Sequence, residues 1–220
     1  FVLLGGDTNI IPARCYIYSN VEYPSDAYYT DLESDWNANK NHIYKETGDG
    51  MNMDRLCYLG RASVEDIEEA KTFINKVLMY EKMENVSTEY LMNHLAISAY
   101  ISKDESKDSL YNDGKESING YLSHYPQITK WYLFDHYNCT CPRHHDKTMY
   151  HSGQELNKEH FLSALQDGGD SGLDHFHIVY HMDHSHPRAL GASSKDKHES
   201  IYIQDVNNLI NGDYPLIMIS

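Results

Sequence analysis

Six short runs of apolar and β-branched residues punctuate this chain, at Phe1–Leu4, Leu56–Leu59, His94–Ala99, Thr129–Phe134, His175–Tyr180 and Leu216–Ser220. Between them lie segments of helical spacing or long polar stretches. That alternation constrains the fold more than any other feature. Strands separated by helices do not pair as hairpins, so they line up in a mostly parallel sheet with helices on its faces. The clearest helix is Val64–Lys82, in which Ile67, Ala70, Phe73, Ile74, Val77 and Leu78 recur at helical period and Ser63 with Asp66 makes a start resembling a capping box. Shorter helices are expected over Glu116–Tyr125, over Lys158–Gln166 with Gly168 as its stop, and over Ile203–Ile210 ended by Asn211-Gly212. The polar stretch Asn85–Glu89 marks an internal boundary, which divides the chain into sub-domains 1–88 and 89–220.

Both ends resemble cuts through a larger fold. Phe1-Val2-Leu3-Leu4-Gly5-Gly6-Asp7 is a strand pattern running into a Gly turn, and Pro215-Leu216-Ile217-Met218-Ile219-Ser220 is a second one that stops where its own loop would begin. No apolar run approaches the roughly twenty residues that span a bilayer. A net charge of −15 argues against nucleic acid as a partner, because phosphate binding needs a basic surface. Cys15, Cys57, Cys139 and Cys141 are too few and too irregular for a disulfide scaffold, while nineteen tyrosines and long polar loops suit an extracytoplasmic protein.

Chemistry is expected at the exit of one strand. In His175-Phe176-His177-Ile178-Val179-Tyr180-His181-Met182-Asp183-His184-Ser185-His186 an apolar strand pattern empties into polar residues and histidines. An α/β protein places its site where strands end in loops, and histidine titrates near neutral pH. His175 and His177 share a face of this run and His181, His184 and His186 crowd its end, so a metallohydrolase is an alternative, although the familiar His-x-His-x-Asp-His spelling is absent. Cys139-x-Cys141 with His144-His145 is tighter than structural zinc spacing and reads as loop. A further candidate is Asn37-x-Asn39-x-Asn41-x-Ile43-x-x-Glu46, which sets oxygen side chains at alternate positions before a carboxylate, as in loops that wrap calcium. A backbone carbonyl near Ile43 would add an oxygen, and Asp31, Asp35 and Asp49 lie close by in sequence. The competing interpretation is a solvated Asn-rich loop.

Taken in order, several motifs resemble the gingipain-type cysteine peptidases, family C25 of the caspase-like clan. They are Val2-Leu3-Leu4-Gly5-Gly6-Asp7 with Ile11-Pro12, Tyr23-Pro24-Ser25-Asp26 with Tyr28-Tyr29, and Asp31 to Glu46. Leu59-Gly60-Arg61 feeding the long helix, and Asp205-Val206 with Leu209 and Asn211-Gly212-Asp213-Tyr214-Pro215, complete the set. The resemblance implies a caspase-like three-layer α/β/α fold, here a fragment of a larger catalytic domain. It implies a secreted or cell-surface bacterial cysteine endopeptidase acting on proteins or peptides through a Cys-His dyad, with structural calcium and no organic cofactor; the oligomeric state is left open.

Matched to the family pattern, the catalytic histidine falls on His184, with Ser185 where the family usually has Gly. The nucleophilic Cys falls about two residues beyond Ser220, by analogy with the family rather than by any rule of spacing. The acid that orients the histidine falls near Tyr100 or Ile101, so Asp104 or Glu105 takes that role, and the substrate-pocket acid falls at Glu116 or Ser117. The calcium set is Asp35, Asn37, Asn39, Asn41, Ile43 and Glu46. Ser185 in place of Gly also motivates the alternative of a catalytically silent relative that binds a partner at a surface.

Overall fold

The computed structural model describes residues 1–18, 21–49, 56–83, 87–99, 102–104, 109–111, 118, 120–134, 152–185, 188–192, 199–212 and 214–219. These fall into two compact units, Phe1–Glu81 and Lys82–Ser220.

In the first unit, β1 (Val2–Gly5) pairs in parallel with β4 (Leu59–Ala62), and β2 (Arg14–Tyr18) forms an antiparallel hairpin with β3 (Val21–Ser25). The strand expected at Leu56–Leu59 starts at its last residue instead, because Gly60 hides the continuation of the apolar pattern. Arg61 of β4 explains why three separated motifs occur together. Its guanidinium makes paired bonds to Asp26, 2.7 and 2.6 Å, and donates to the Gly6 and Ile11 carbonyls at 2.6 and 2.9 Å. Its hydrogen bonds hold the Asp26 carboxyl below the usual carboxylate range, against the opposing effect of burial. Two cations then bind the hairpin to the loop that follows: the Arg14 guanidinium lies 4.8 Å from the Tyr28 ring and 4.2 Å from Tyr44, and the Lys45 ammonium lies 5.0 Å from Tyr16 and 5.2 Å from Trp36.

Helix α1 (Ile67–Lys82) starts three residues later than its pattern suggests. Asp66, not Ser63, caps it, accepting from the Glu69 amide at 2.9 Å, while the Glu69 carboxylate reaches back to the Glu65 amide at 2.8 Å. Its apolar stripe is formed as expected, but none of its residues is buried.

The second unit is a five-stranded, all-parallel sheet in the order β13-β10-β5-β8-β9. Its strands are β5 (Asn93–Ser98), β8 (Thr129–Phe134), β9 (Gly153–Glu155), β10 (Ile178–Met182) and β13 (Ile217–Ile219). Two small antiparallel pairs accompany it: β6 (Ser102–Asp104) with β7 (Ser109–Tyr111), and β11 (Ala189–Gly191) with β12 (Ser200–Tyr202).

Alternation along the strands feeds two cores, one on each face. Leu95, Ile97, Leu133 and Val179 pack with Phe161, Ala164 and Leu165 of α2 (Lys158–Asp167). Ala96, Tyr132 and Phe134 pack on the other face with Ile118 and Leu122, from a helical stretch described at 118 and 120–123. Helices on both faces of a parallel sheet make the three-layer α/β/α arrangement. Helix α2 is bounded as its sequence requires. The Asn157 side chain accepts from the His160 amide at 2.8 Å, and Gly168 ends the helix at φ 83°, a left-handed conformation suited to glycine. The helix expected at Ile203–Ile210 is one turn only, α3 (Ile203–Val206), since Asn207-Asn208 favour turns.

Candidate active site

The chain builds β5, β8 and β9 outward in one direction, then returns to lay β10 on the opposite side of β5 and β13 beyond it. The strand order therefore reverses between β5 and β10. A crevice opens at the carboxyl ends of strands at such a reversal, and that is where ligands of open α/β sheets bind. His184 leaves β10 at that end. Met182 is level with Ser98, and the Ala99 amide donates to the Met182 carbonyl at 3.1 Å, so β5 and β10 end side by side. Past them, the Asp183 carboxylate accepts from the His184 amide at 2.5 Å, and His184 and Ser185 are exposed.

The histidines of this segment do not gather in one place. The strand begins at Ile178, three residues later than the pattern suggests, so His175 and His177 precede it at the end opposite His184. His175 stacks flat on Tyr214, 3.7 Å between ring centroids, and the His177 imidazole lies 3.1 Å from the Leu91 carbonyl through Nδ1. His181 sits inside the strand, buried, with its ring stacked on Phe161 at 5.6 Å and its Nε2–H donating to the Gly191 carbonyl at 2.9 Å. His186 is outside the described residues. Among the described residues, no three His, Cys, Asp or Glu side chains are grouped to hold a metal.

A histidine that sequence reading passed over lies at the entry end of the sheet. His94, the second residue of β5, is 6 % exposed, its ring 6.4 Å from that of His177 and its Nδ1 3.4 Å from the Tyr180 hydroxyl. Burial, the His177 imidazole and the Lys130 ammonium push it down to about 4. Tyr180 is pushed up to about 12 by burial and by Tyr121, which is also its hydrogen-bond partner, so it keeps its proton beside His94. A histidine at the mouth of an otherwise unbroken apolar strand was the only signal of this.

The remaining candidates are placed less directly. Asp104 ends β6, shortly after β5 in sequence; Glu105, Glu116, Ser117, Tyr100 and Ile101 lie outside the described residues. Cys15 lies in β2 and Cys57 just before β4, both as free thiols, while Cys139, Cys141, His144 and His145 are outside the described residues.

The Asn-rich loop curls around its own oxygens. Asn39 and Asn41 both turn their amide groups onto Glu46 Oε1, the latter at 2.6 Å. Asp35, Asn37, Asn39 and Asn41 each accept from a backbone amide of the loop, with the Asn41 oxygen accepting from Ile43 at 2.7 Å. Lys40, His42 and Lys45 take positive φ near 60° to allow this curvature. Asp49 is 5 % exposed; its Oδ2 accepts from the Glu46 amide at 3.1 Å, and its Oδ1 is buried with no hydrogen-bond partner. An orphaned buried carboxylate oxygen in an oxygen-rich loop is what a hard cation would satisfy. Asp31, by contrast, is committed elsewhere. Burial works against its charge, but bonds from Ser34, Trp36 and Glu33 outweigh this and hold it below the ordinary carboxylate value.

The family model for peptidase family C25 matches residues 1–220. Among solved structures, the Arg-specific cysteine proteinase gingipain R is similar at 19 % identity with a TM-score of 0.58, over 98 % of this chain and 38 % of that one. A second structure, of a protease, is similar at 18 % identity with a TM-score of 0.59, over 98 % of this chain and 36 % of that one. At such identities the likeness is one of fold, and this chain spans little more than a third of the length of either. No curated protein sequence matches it.

Proposed function

The chain belongs to peptidase family C25, and from that premise we propose that it is the histidine-bearing part of a secreted or cell-surface bacterial cysteine endopeptidase. The observation that carries the reading is the position of His184, at the exit of β10 beside the reversal of strand order. The nucleophile is a Cys just past residue 220. Strand β13 runs parallel to β10 with Ile219 level with Tyr180, which supports this reading. Two neighbouring strand ends then present thiol and imidazole to one substrate.

In this arrangement His184 takes the thiol proton, and the thiolate attacks the peptide carbonyl carbon. His184 passes that proton to the departing amine as the carbon–nitrogen bond breaks, which leaves a thioester. A water molecule, deprotonated by the same imidazole, then releases the acid and restores the thiol. Backbone amides of the turn around Ser185 are the donors for the oxyanion. Asp104 or Glu105 orients the imidazole, and Glu116 or Ser117 lines the substrate pocket.

Calcium is the proposed structural ion of the Asn-rich loop, held by Asp35, Asn37, Asn39, Asn41, Glu46 and the Ile43 carbonyl, with Asp49 as a further oxygen. When bound it supplies a positive centre for the carboxylates of Asp35, Glu46 and Asp49.

Hydrolysis of a panel of peptide substrates by the full-length protein tests the catalytic reading. His184→Ala is expected to lower kcat by at least about 1,000-fold, the scale of losing a proton-transfer group together with nucleophile activation. Activity that survives this substitution, or a natural sequence with no Cys shortly after Ser220, overturns it. Ser185 favours a second reading, a silent binding module, which stoichiometric labelling by a peptidyl cysteine-reactive inhibitor would exclude.

A further inference from the structure

Behind His184, the turn rests on a bare stretch of backbone. Gly191, in β11, is buried, and it has no side chain where one would have no room: a Cβ there would stand 2.5 Å from Asp183 Cγ and still closer to the His184 carbonyl oxygen and the Asp183 carboxylate. Carbonyl and Cβ cannot share that space, and the obstacle is partly backbone, so no side-chain rotation relieves it. Residue 191 is therefore held to glycine by proximity to the His184 turn, although its φ is not in the left-handed region.

The same residue is fixed from a second direction. Its carbonyl accepts from His181 Nε2–H at 2.9 Å, and the His181 ring is stacked on the fully buried Phe161 of α2. A carbonyl can only accept, so His181 carries a proton on Nε2 while this bond exists. The contacts form one line through the molecule, from Phe161 in the core to His181, to Gly191, to the backbone of His184.

We infer that Gly191 and His181 are positioning residues for His184, the first by letting β11 lie directly on its turn and the second by pinning β11 there. The inference rests on the reading of His184 as the proton shuttle. Proton transfer and attack need near-contact geometry, and a misplacement of about 1 Å costs about 100-fold in rate.

Four variants of the full-length protein test it: Gly191→Ala, His181→Gln, His181→Leu and, as control, Gly120→Ala, where an added Cβ meets open space. Gly191→Ala should lower kcat about 100-fold with KM changed less than about threefold, since the turn moves but the substrate cleft does not. His181→Gln keeps an N–H donor for the Gly191 carbonyl and should hold kcat within about threefold, whereas His181→Leu, of similar bulk, should lose at least about tenfold. A wild-type kcat in Gly191→Ala, or equal losses in the Gln and Leu variants, overturns the inference. Ring-proton NMR resonances of His184 provide a readout without catalysis: Gly191→Ala should displace them and Gly120→Ala should not. If His184→Ala leaves hydrolysis intact, the catalytic reading fails while these resonances still decide the positioning role, and unmoved resonances in Gly191→Ala refute it.

Discussion

Lowering the pH should weaken the second unit through His94 in a way that a single substitution removes. The imidazole lies between strands, 6 % exposed, facing His177 before β10, Tyr180 on β10 and Lys130 on β8. Among these neighbours none is an anion, and a hydrogen bond to the Leu91 backbone, which favours the charged ring, is outweighed by burial and the positive neighbours. Protonation therefore adds a buried charge beside an ammonium. An ordinary histidine titrates at 6.5, and His94 in the fold at about 4. Between those values the unfolded chain holds a proton that the folded chain refuses, so stability is full above pH 6.5, falls as pH drops toward 4, and is flat below. At about 1.4 kcal/mol per pH unit the window is worth at most about 3 kcal/mol, and about 2 kcal/mol after allowance for relaxation around the new charge.

Urea titrations at pH 7, 5.5 and 4.5 measure this, with His94→Gln as the comparison because it stays neutral and keeps a polar group beside Tyr180. Trp131 on β8 reports on the second unit once Trp36, the other tryptophan, is replaced by Phe. The wild-type protein should lose about 2 kcal/mol more than the variant between pH 7 and 4.5, whatever the common losses from other groups. Parallel losses in the two proteins would refute the reasoning, because they would show that His94 titrates alike in both states.

Two further outcomes are expected. Millimolar calcium should raise the melting temperature of the protein through preferential binding to the folded loop, and Glu46→Gln should abolish the rise; no shift in a calorimetric scan would remove calcium from the loop. Gly168→Ala should destabilise the second unit by more than about 1 kcal/mol in urea, since φ is 83° and a Cβ would meet the Leu173 carbonyl carbon at 3.0 Å; wild-type stability in that variant would show that the end of α2 can relax.

Much of the fold was legible because its strands are buried on both faces, and such strands announce themselves as unbroken apolar runs. Thr129–Phe134 was found to the residue, and β5 within one. The hairpin β2–β3 was not foreseen, and its aromatic residues explain why: Tyr16 and Tyr23 stack across it at 5.5 Å, so the pair is held by rings and cations rather than by a buried stripe that would leave a period in the sequence. Asp66 displaced Ser63 as the cap of α1 for a related reason, because both residues are good caps and only the helix's own hydrogen bonds choose between them.

The candidate site divides along the same line. His184 rides on a strand whose pairing sets where its exit lies, and the apolar pattern put both ends too early: the strand runs Ile178–Met182 where His175–Tyr180 was expected. His175-Phe176-His177 alternates as a strand would, but Asn93 intervenes: its side-chain amide donates to the His175 carbonyl at 3.0 Å and its carbonyl accepts from His177, so this stretch approaches β5 without yet joining it. The histidines on the two sides of that junction consequently sit differently, His94 and His177 buried at the entry and His184 exposed at the exit. What no strand pattern encodes is the approach of a second segment from behind. Gly191 follows His184 closely in sequence, yet nothing in its neighbours reveals that its missing side chain is filled by the His184 carbonyl, because that fact belongs to the packing of β11 on the turn. Two kinds of information thus meet at the exit of β10: strand order, which sets where His184 stands, and close packing behind the strand ends, which sets how its backbone lies.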